Sequence, residues 1–526
     1  MKVLLPVCYV LATVLAIAPV SAKTSSSPAT PNPAPPVSDT HAGIAWYKGS
    51  ADAAFARARK ANKPVFLYWG AKWCPPCNQV KATLFSRRDF IELSRLFVPV
   101  YLDGDSPGAQ KLGERFNVRG YPTMILFNSA GMEITRLPGE VDTAQYMRVL
   151  RTGLNAARPV KVLLASALGE LPQGSADLTS DDWRLLAFYS WDTDQQQLLA
   201  TQSLPATLRR LAQICPADLP AISARLLLKA LALAAATDDA TATPDRQVSA
   251  QLVKLLGDTR ITREIFDLVT NSAGPVVDNF TFPDSDERTQ LVAVWNTALD
   301  GLIADGSLST ADRLNAFSAK IGLAKLDSPE GALEEPLLLA ARNQVERADR
   351  ATTNVYARQS VISAAADVLS DAGLLDESDR LLKAELKRSH SPYYFMLGLA
   401  ANAKKRGDKA AALDWSAQAY AAAKGPATRL QWGVNLLRAL IDLAPQDELR
   451  IETVAQQILG ELNPTADTFS ERNRYSLEKM AGKLAAWNKE DRHAAVMDRL
   501  RLQLAGLCQR MPAADPARST CRSIFS

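Results

Sequence analysis

The sequence predicts an α/β domain, with helices on both faces of a mixed central sheet, followed by an all-α domain of helical repeats. Two observations support this division. From about residue 43 to 157, short apolar runs typical of strands alternate with amphipathic runs typical of helices. From about residue 158 to 526, long segments rich in Leu and Ala carry apolar residues at helical spacing and are interrupted by Pro, Gly and Asp.

In the first domain, an initial helix is followed by elements in the order βα-β-α-ββα. The first strand is the apolar run Pro64–Trp69, and the turn Asn128–Gly131 joins the last two strands. The predicted strands are 64–69, 98–102, 123–127 and 132–137, and the predicted helices are 51–61, 78–85, 88–97, 108–116 and 143–154.

A period of 34 residues occurs in the second domain. Gly373 and Gly407 are separated by this distance, as are Ala366 and Ala400. The segment 407–419 resembles a tetratricopeptide helix-turn-helix unit, in which small residues let paired helices approach closely. We expect two such units with divergent neighbours, and the alternative is an irregular helical domain with one chance match.

Residues 1–22 have the pattern of a secretory signal peptide, because Lys2 precedes the apolar run 3–20 and small residues stand before the cut. A retained membrane anchor is the alternative, since the run approaches the length that spans a bilayer. Residues 23–42 are rich in Pro, Ser and Thr and are expected to form an extended linker. The sequence thus predicts export across the inner membrane into a bacterial periplasm.

Composition bears mainly on the expected partners. The formal net charge of +4 is too small to favour binding to nucleic acid or to a membrane surface. Six cysteines are too few for a disulfide scaffold in a chain of 526 residues, so each needs its own explanation. The three histidines, His41, His390 and His493, show no metal-binding spacing and are assigned no role.

The segment Trp73-Cys74-Pro75-Pro76-Cys77 carries the chemistry. Cys74 follows a strand and stands at the start of a helix, where backbone N–H groups and the helix dipole favour a thiolate. A thiolate attacks disulfides, and Cys77, one turn along, can resolve the mixed disulfide. Pro75 and Pro76 suit the first helical turn but remove two donors, so Cys74 depends on the N–H of Cys77.

Other interpretations of the cysteines stay open. For the first pair they are half a zinc site, which lacks two further ligands, and a purely structural disulfide. Cys508 and Cys521 flank a Pro-rich loop and are expected to form a structural disulfide, with a second redox pair as the alternative. Cys215 is expected to be a buried inert thiol, or else to have an intermolecular partner. No metal, flavin or nicotinamide motif is visible, so no cofactor is expected.

Residues 44–154 resemble the thioredoxin superfamily, and within it the C-terminal periplasmic domain of transmembrane disulfide-interchange reductases. The resemblance covers about a fifth of the chain and rests on separate motifs in the expected order and elements. These motifs are Lys63-Pro64, Trp73–Cys77, Phe116-Asn117-Val118, Gly120-Tyr121-Pro122-Thr123 and Gly139.

The resemblance implies a thioredoxin fold and a redox-active Cys74–Cys77 disulfide. Cys74 would be an exposed nucleophile and Cys77 a buried resolving thiol. The Tyr121–Pro122 bond would be cis and would receive a substrate backbone beside the cysteines, with a trans bond as the alternative. Trp73 is expected to form an apolar rim next to the sulfur atoms.

One residue departs from the pattern of the family. Thioredoxins usually have a buried acid on the strand, six positions before the nucleophile, that takes a proton from the resolving cysteine. Tyr68 stands there in this chain, and a phenol with an ordinary pKa of about 10 is no base near neutrality. Glu114 or Asp103 could replace the acid, and Lys72 would favour thiolates.

The sequence therefore predicts a thiol:disulfide oxidoreductase, closer to a reductase than to an oxidase, whose helical repeats hold a protein partner near the cysteines. Its partners would be protein thiols or disulfides and a recycling redox protein in the membrane. Two alternatives stay open. One is a non-catalytic scaffold that uses the α/β domain as a docking module, and the other is a dithiol oxidase.

Overall fold

The strands and helices of the first domain occur where the sequence predicts them. The structure is a computed structural model that describes residues 43–139, 142–170, 177–194, 197–199, 203–236, 243–329 and 331–525. The strands are β1 (Val65–Gly70), β2 (Val98–Asp103), β3 (Thr123–Phe127) and β4 (Glu133–Leu137). The helices are α1 (Ala51–Ala61), α2 (Pro75–Thr83), α3 (Arg88–Leu93), α4 (Ala109–Arg115) and α5 (Thr143–Asn155).

These strands form one mixed sheet in the order β2-β1-β3-β4. Strand β1 pairs in parallel with β2, whereas β3 pairs antiparallel with both β1 and β4. Every residue of β1 is buried, as expected for a central strand of a sheet that is covered on both faces. The predicted fold class, a mixed sheet flanked by helices, is therefore confirmed.

The alternation of side chains along β1 divides the core between the two faces of the sheet. Phe66 and Tyr68 belong to one hydrophobic cluster, and Leu67 and Trp69 belong to another on the opposite face. The strand ends at Gly70, after which a short loop leads into α2. The cysteine motif therefore lies at the carboxyl end of the central strand.

Residues 158–525 form the helical region, whose described part contains α-helices and no strand. This confirms the predicted all-α character. The helices are α6 (Val160–Ala167), α7 (Ser180–Ala187), α8 (Leu204–Ile214), α9 (Pro220–Ala236), α10 (Arg246–Leu256), α11 (Thr259–Glu264), α12 (Phe266–Asn271), α13 (Ala273–Phe280), α14 (Asp286–Ala304), α15 (Thr310–Ala324), α16 (Glu335–Ala351), α17 (Val355–Asp371), α18 (Leu375–Glu385), α19 (Pro392–Lys405), α20 (Lys409–Ala422), α21 (Pro426–Leu443), α22 (Glu448–Gly460), α23 (Glu471–Trp487), α24 (Ala494–Gln509) and α25 (Ala517–Ser523).

The 34-residue period corresponds to two equivalent helical hairpins. Gly373 follows α17 and Gly407 follows α19, with φ angles of +79° and +78° that glycine adopts without steric cost. Helix α17 packs against α18, and α19 packs against α20. In the first hairpin, Ser378 Oγ donates a hydrogen bond to the carbonyl of Ala366 at 3.0 Å, which small side chains permit. The identity of these hairpins as tetratricopeptide units stays a prediction.

The first domain packs directly against the helical region, and the described residues of both belong to one compact unit. Helix α2 lies along α17. In the same helix, Gln79 Nε2 donates hydrogen bonds to Ser309 Oγ at 3.0 Å and to Asp312 Oδ1 at 2.7 Å. The helix that carries Cys77 is therefore fixed by contacts with the helical region.

The predicted signal peptide (1–22) and linker (23–42) lie outside the described residues. The domain boundaries stay predictions. Among the helices that the structure describes, none is both long enough and apolar enough to cross a membrane.

The three cysteines of the helical region differ in state. Cys508 and Cys521 form a disulfide that links α24 to α25, and their Cα atoms are 5.8 Å apart. Cys215 is a half-buried free thiol at the end of α8. Burial, and to a lesser extent Asp218, raises the pKa of Cys215 to about 11, so this thiol is protonated and unreactive at neutral pH.

Arg358→Met is expected to destabilise the fold strongly, because it removes the closest partner of the buried carboxylate of Glu385 and leaves only Arg388, 3.9 Å away. The two side chains are 5% and 4% exposed, and Arg358 Nη2 lies 2.6 Å from Glu385 Oε2. Removing one member of such a pair costs about 3–5 kcal/mol. Urea denaturation should show this decrease in the free energy of unfolding.

Arg474→Met is the matched control. Arg474 and Glu478 form an ion pair with 47% and 46% of their side chains exposed, and such pairs contribute about 0–1 kcal/mol. A loss for Arg358→Met that is no larger than the loss for this control would contradict the role given to the buried pair.

Candidate active site

The cysteine motif forms the start of α2 as the sequence predicts. Cys74 is the N-cap residue, and its Sγ accepts a hydrogen bond from the backbone N–H of Cys77 at 3.2 Å. Pro75 and Pro76 fill the first helical turn, so the N–H of Cys77 is the donor that reaches the sulfur. The two cysteines are joined by a disulfide. In the reduced protein, this donor and the helix dipole would stabilise a thiolate on Cys74.

Asn78 fixes the loop that leads into the motif. Its side chain is fully buried, and its Nδ2 donates to the carbonyl of Lys72 at 2.8 Å and to that of Cys74 at 2.9 Å. These bonds set the direction in which Cys74 presents its side chain. The sequence interpretation assigned no role to Asn78.

The second motif, Tyr121–Pro122, lies beside the cysteines with its peptide bond in the cis form, as the family resemblance implies. The ring of Tyr121 contacts that of Trp73, with centroids 6.0 Å apart. Gln110 Nε2 donates to Tyr121 Oη at 3.2 Å and to the carbonyl of Gly104 at 2.6 Å. A Cβ on Gly104 would lie 1.9 Å from that hydroxyl, so glycine is required for the tyrosine to occupy this position.

The exposure expected for Cys74 is wrong. Only 2% of Cys74 is exposed, together with 0% of Cys77 and 8% of Trp73. The cause is that the helical region packs onto the end of the first domain that carries the motif. The residues that make this contact, which we name the covering residues, are Gln359, His390, Tyr394, Thr428, Trp432 and Arg472.

Trp73 is the centre of this contact and not a rim beside the sulfur atoms. Its ring stacks on Tyr394 with centroids 5.9 Å apart and meets the edge of Trp432 at 4.7 Å. Its indole N–H donates to Thr428 Oγ1 at 3.0 Å, and its carbonyl accepts a hydrogen bond from Gln359 Nε2 at 3.4 Å. Both the indole N–H and the backbone carbonyl of Trp73 thus form hydrogen bonds with the helical region.

Thr428 connects Trp73 to the half-buried carboxylate of Asp105 in the first domain. While its hydroxyl accepts from Trp73, it also donates to Asp105 Oδ2 at 2.6 Å, and its backbone N–H donates to Asp105 Oδ1 at 2.8 Å. Burial raises the pKa of Asp105, although both bonds from Thr428 oppose the change. Gly425 allows the close approach, because a Cβ there would lie 2.3 Å from the carboxyl carbon.

Two of the covering residues, His390 and Arg472, have ionisable side chains that contact residues around the cysteine motif. His390 Nε2 donates to the carbonyl of Lys72 at 3.0 Å, and burial lowers the pKa of this imidazole, which is therefore neutral near pH 7. Arg472 lies over the rings of Tyr121 and Trp73, 4.7 Å and 5.7 Å from their centroids. The sequence interpretation gave His390 no role, and the structure places it against the motif.

Tyr68 occupies the position of the usual buried acid. It is completely buried, and its hydroxyl has no hydrogen-bond partner among the described residues. Burial, and then the charge of Asp103, raises its pKa far above the ordinary value, so it cannot take a proton from Cys77. Of the two expected replacements, Glu114 accepts a bond from Ser470 Oγ at 2.9 Å, whereas Asp103 lies 3.9 Å from the amine of Lys72 beside the motif.

The covering residues could not have been found from the sequence. Each is an ordinary polar or aromatic residue inside a helical pattern, and the hydrogen bond from Trp73 to Thr428 joins positions 355 residues apart. The cysteines, Trp73 and the Tyr121–Pro122 bond were identifiable because they lie within short motifs.

Comparison with known proteins agrees with this geometry. A family model described as a thioredoxin-like domain matches residues 51–154. Thiol:disulfide interchange protein DsbD 1 of Pseudomonas aeruginosa is 34% identical over 108 residues, which are 19% of this chain and 18% of that protein. DsbD of Yersinia pestis (strain Pestoides F) is 32% identical over 99 residues, 18% of this chain and 16% of that protein. The chain thus spans less than a fifth of the length of either protein.

A shorter relative is matched over most of its length. The thioredoxin of Acidithiobacillus ferridurans is 30% identical over 95 residues, which are 18% of this chain and 83% of the thioredoxin. The conserved architecture is therefore that of a whole thioredoxin, and through residues 51–154 this chain belongs to the thioredoxin family.

Proposed function

We propose that this chain is an exported thiol:disulfide oxidoreductase that reduces disulfides through Cys74 and Cys77. The observation that carries the proposal is the position of Cys74 Sγ, which caps α2 and accepts the N–H of Cys77 beside the cis Tyr121–Pro122 bond. Relatives named thiol:disulfide interchange proteins support the same chemistry. The reaction needs no cofactor.

In the proposed reaction, the thiolate of Cys74 attacks one sulfur of a substrate disulfide, and the other substrate sulfur leaves and takes up a proton. Cys77 then loses its proton and attacks Cys74 Sγ, which breaks the mixed disulfide and releases the second substrate thiol. Two electrons pass to the substrate, and the protein is left with the Cys74–Cys77 disulfide. A recycling redox protein, which we place in the membrane, must return these two electrons.

The other site residues are given supporting roles. The Tyr121–Pro122 loop would contact the substrate, Trp73 would hold the motif against the helical region, and Pro75 and Pro76 would hold the turn between the two sulfur atoms. We assign the proton of Cys77 to Asp103, because this acid lies beside Lys72 at the end of β2. The hairpins of the helical region are proposed to be tetratricopeptide-like units that bind a protein partner.

A non-catalytic scaffold is the second candidate. One observation favours it, namely that only 2% of Cys74 is exposed. In that case the first domain would serve to dock the helical region, and its cysteines would not turn over.

Cys74→Ala is expected to abolish disulfide reduction, because Cys74 Sγ is the sulfur that caps α2 and Cys77, inside the helix, does not have that position. The test mixes the reduced protein with an excess of a disulfide-linked pair of short blocked peptides and follows peptide thiol release by mass spectrometry. Cys215→Ala is the control and should react like the unmodified protein. Equal rates for Cys74→Ala and the control would favour the scaffold.

Cys74 is expected to ionise below the ordinary thiol pKa of about 8.5, since the N–H of Cys77 and the helix dipole favour the charged form. The ultraviolet absorbance of thiolates, titrated against pH in the reduced protein, measures this value. Cys215, whose pKa burial raises to about 11, should ionise in a separate step at higher pH. An unshifted first transition, or one that survives Cys74→Ala, would contradict the assignment.

The reduction potential decides the direction of electron flow. We expect a value for Cys74–Cys77 nearer to about −270 mV, typical of reductants, than to about −120 mV, typical of oxidants. Equilibration with glutathione buffers, followed by alkylation of free thiols, gives the potential. A value at the oxidising end would turn the proposal into a dithiol oxidase.

A further inference from the structure

The covered motif limits which disulfides can meet Cys74. A disulfide on the surface of a folded protein needs an open face around the nucleophile, but here only 2% of Cys74 and 8% of Trp73 are exposed. The prolines between the two cysteines, Pro75 and Pro76, are less deeply buried than the cysteines themselves. The side on which these prolines lie is therefore a route by which a substrate can approach the dithiol.

A pocket of about 300 Å³ lies on that side. The first domain contributes Pro76, the Tyr121–Pro122 loop and Gly139 to its lining. The helical region contributes the opposite wall, from α9, α12 and the segment after α7. The pocket thus joins the cysteine motif to the cis-proline loop, and half of its wall has no counterpart in an isolated thioredoxin domain.

The charged side chains that the helical region contributes to this pocket form ion pairs with one another. Arg225 and Asp267 form a buried pair, with side chains 6% and 7% exposed and a shortest separation of 2.7 Å. Lys229 is paired with Asp192 at the edge of the pocket. The other residues that α9 contributes to the lining, Ala232, Leu233 and Ala236, are apolar. Such a lining favours an uncharged segment, because an added charge would be desolvated there without a free partner.

We propose, resting on the oxidoreductase function above, that the helical region restricts the dithiol to disulfides on an extended, uncharged peptide segment that enters through this pocket. The segment lies between the cis-proline loop and α9, and its cysteine reaches Cys74 past Pro76. Disulfides on folded surfaces are excluded until the covering residues separate from Trp73.

Weakening the contact between Thr428 and Asp105 should allow the covering residues to separate from Trp73. Thr428→Val removes the hydroxyl that accepts from Trp73 and donates to Asp105, which leaves the buried indole N–H without this acceptor and Asp105 with only the backbone N–H of residue 428. Gly425→Ala acts on the same contact by steric means, since its Cβ would lie 2.3 Å from the carboxyl carbon of Asp105. Thr453→Val is the matched control, because this threonine is exposed on α22.

The test measures single-turnover oxidation of the reduced full-length protein by three substrates at equal disulfide concentration. These are a disulfide-linked pair of blocked Ala-Cys-Ala peptides, the corresponding Glu-Cys-Glu pair, and intact insulin. We expect the uncharged peptide to react about tenfold or more faster than either of the others. Thr428→Val and Gly425→Ala should each raise the insulin rate about tenfold, whereas Thr453→Val should not.

Two comparisons distinguish the effect of the pocket on the reaction rate from the effect of the covering residues. Gly425→Ala should leave the rate with the uncharged peptide within about twofold of the unmodified protein, because the pocket lies on α9 and α12. Ala232→Trp, which places an indole in the pocket, should slow this peptide about tenfold. If Ala232→Trp fails to fold by circular dichroism, the difference between the uncharged and acidic peptides decides the point.

Equal rates with the uncharged peptide and insulin in the unmodified protein would overturn the restriction. So would insulin rates that neither opening variant changes, or equal rates with the two peptides. An absence of reaction with every substrate, in the opened variants as well, would instead remove the oxidoreductase function on which the inference rests.

Discussion

The packing of Trp73 between the two parts of the chain is the interaction on which the site depends. This residue directly precedes Cys74, and its ring, its N–H and its carbonyl are all held by the helical region. A tryptophan that buries this much surface anchors an interface strongly. The same contact therefore holds the loop before the nucleophile and also covers the nucleophile.

Part of the contact between the first domain and the helical region is polar, and this affects how easily the two surfaces can separate. Thr428 gives two hydrogen bonds to Asp105, and Gln79 gives two more to Ser309 and Asp312. Each such bond contributes only about 0.5–1.5 kcal/mol net, since water replaces it when the surfaces part. The contact also has an apolar part, because Trp73, Cys74 and Cys77 belong to one hydrophobic cluster with Tyr393 and Trp432 of the helical region. Separating the covering residues from Trp73 therefore breaks hydrogen bonds and also exposes apolar surface.

The elements of the first domain could be predicted from the sequence because each is determined by neighbouring residues. The apolar run that forms β1, the cysteines at the start of α2 and the cis Tyr121–Pro122 bond each depend on a few consecutive residues. The exposure of Cys74 depends instead on helices hundreds of residues away, and no periodicity in those helices indicates which face they bury. The same reason explains His390, whose contact with the loop at Lys72 no spacing rule could reveal.

The aromatic rings and the negative charge around position 68 explain why a tyrosine suits this position better than a carboxylate. Its ring packs against Phe85 and Tyr101 in an aromatic cluster, and Asp103 is close enough to raise its pKa. A carboxylate at position 68 would be desolvated by those rings and repelled by Asp103, both of which would keep it protonated. Carboxylates lie instead at and after the end of β2, where Asp103 has Lys72 and Asp105 has Thr428 as partners. If Asp103 takes the proton of Cys77, as proposed above, the acid stands on the second strand and not on the strand that precedes the motif.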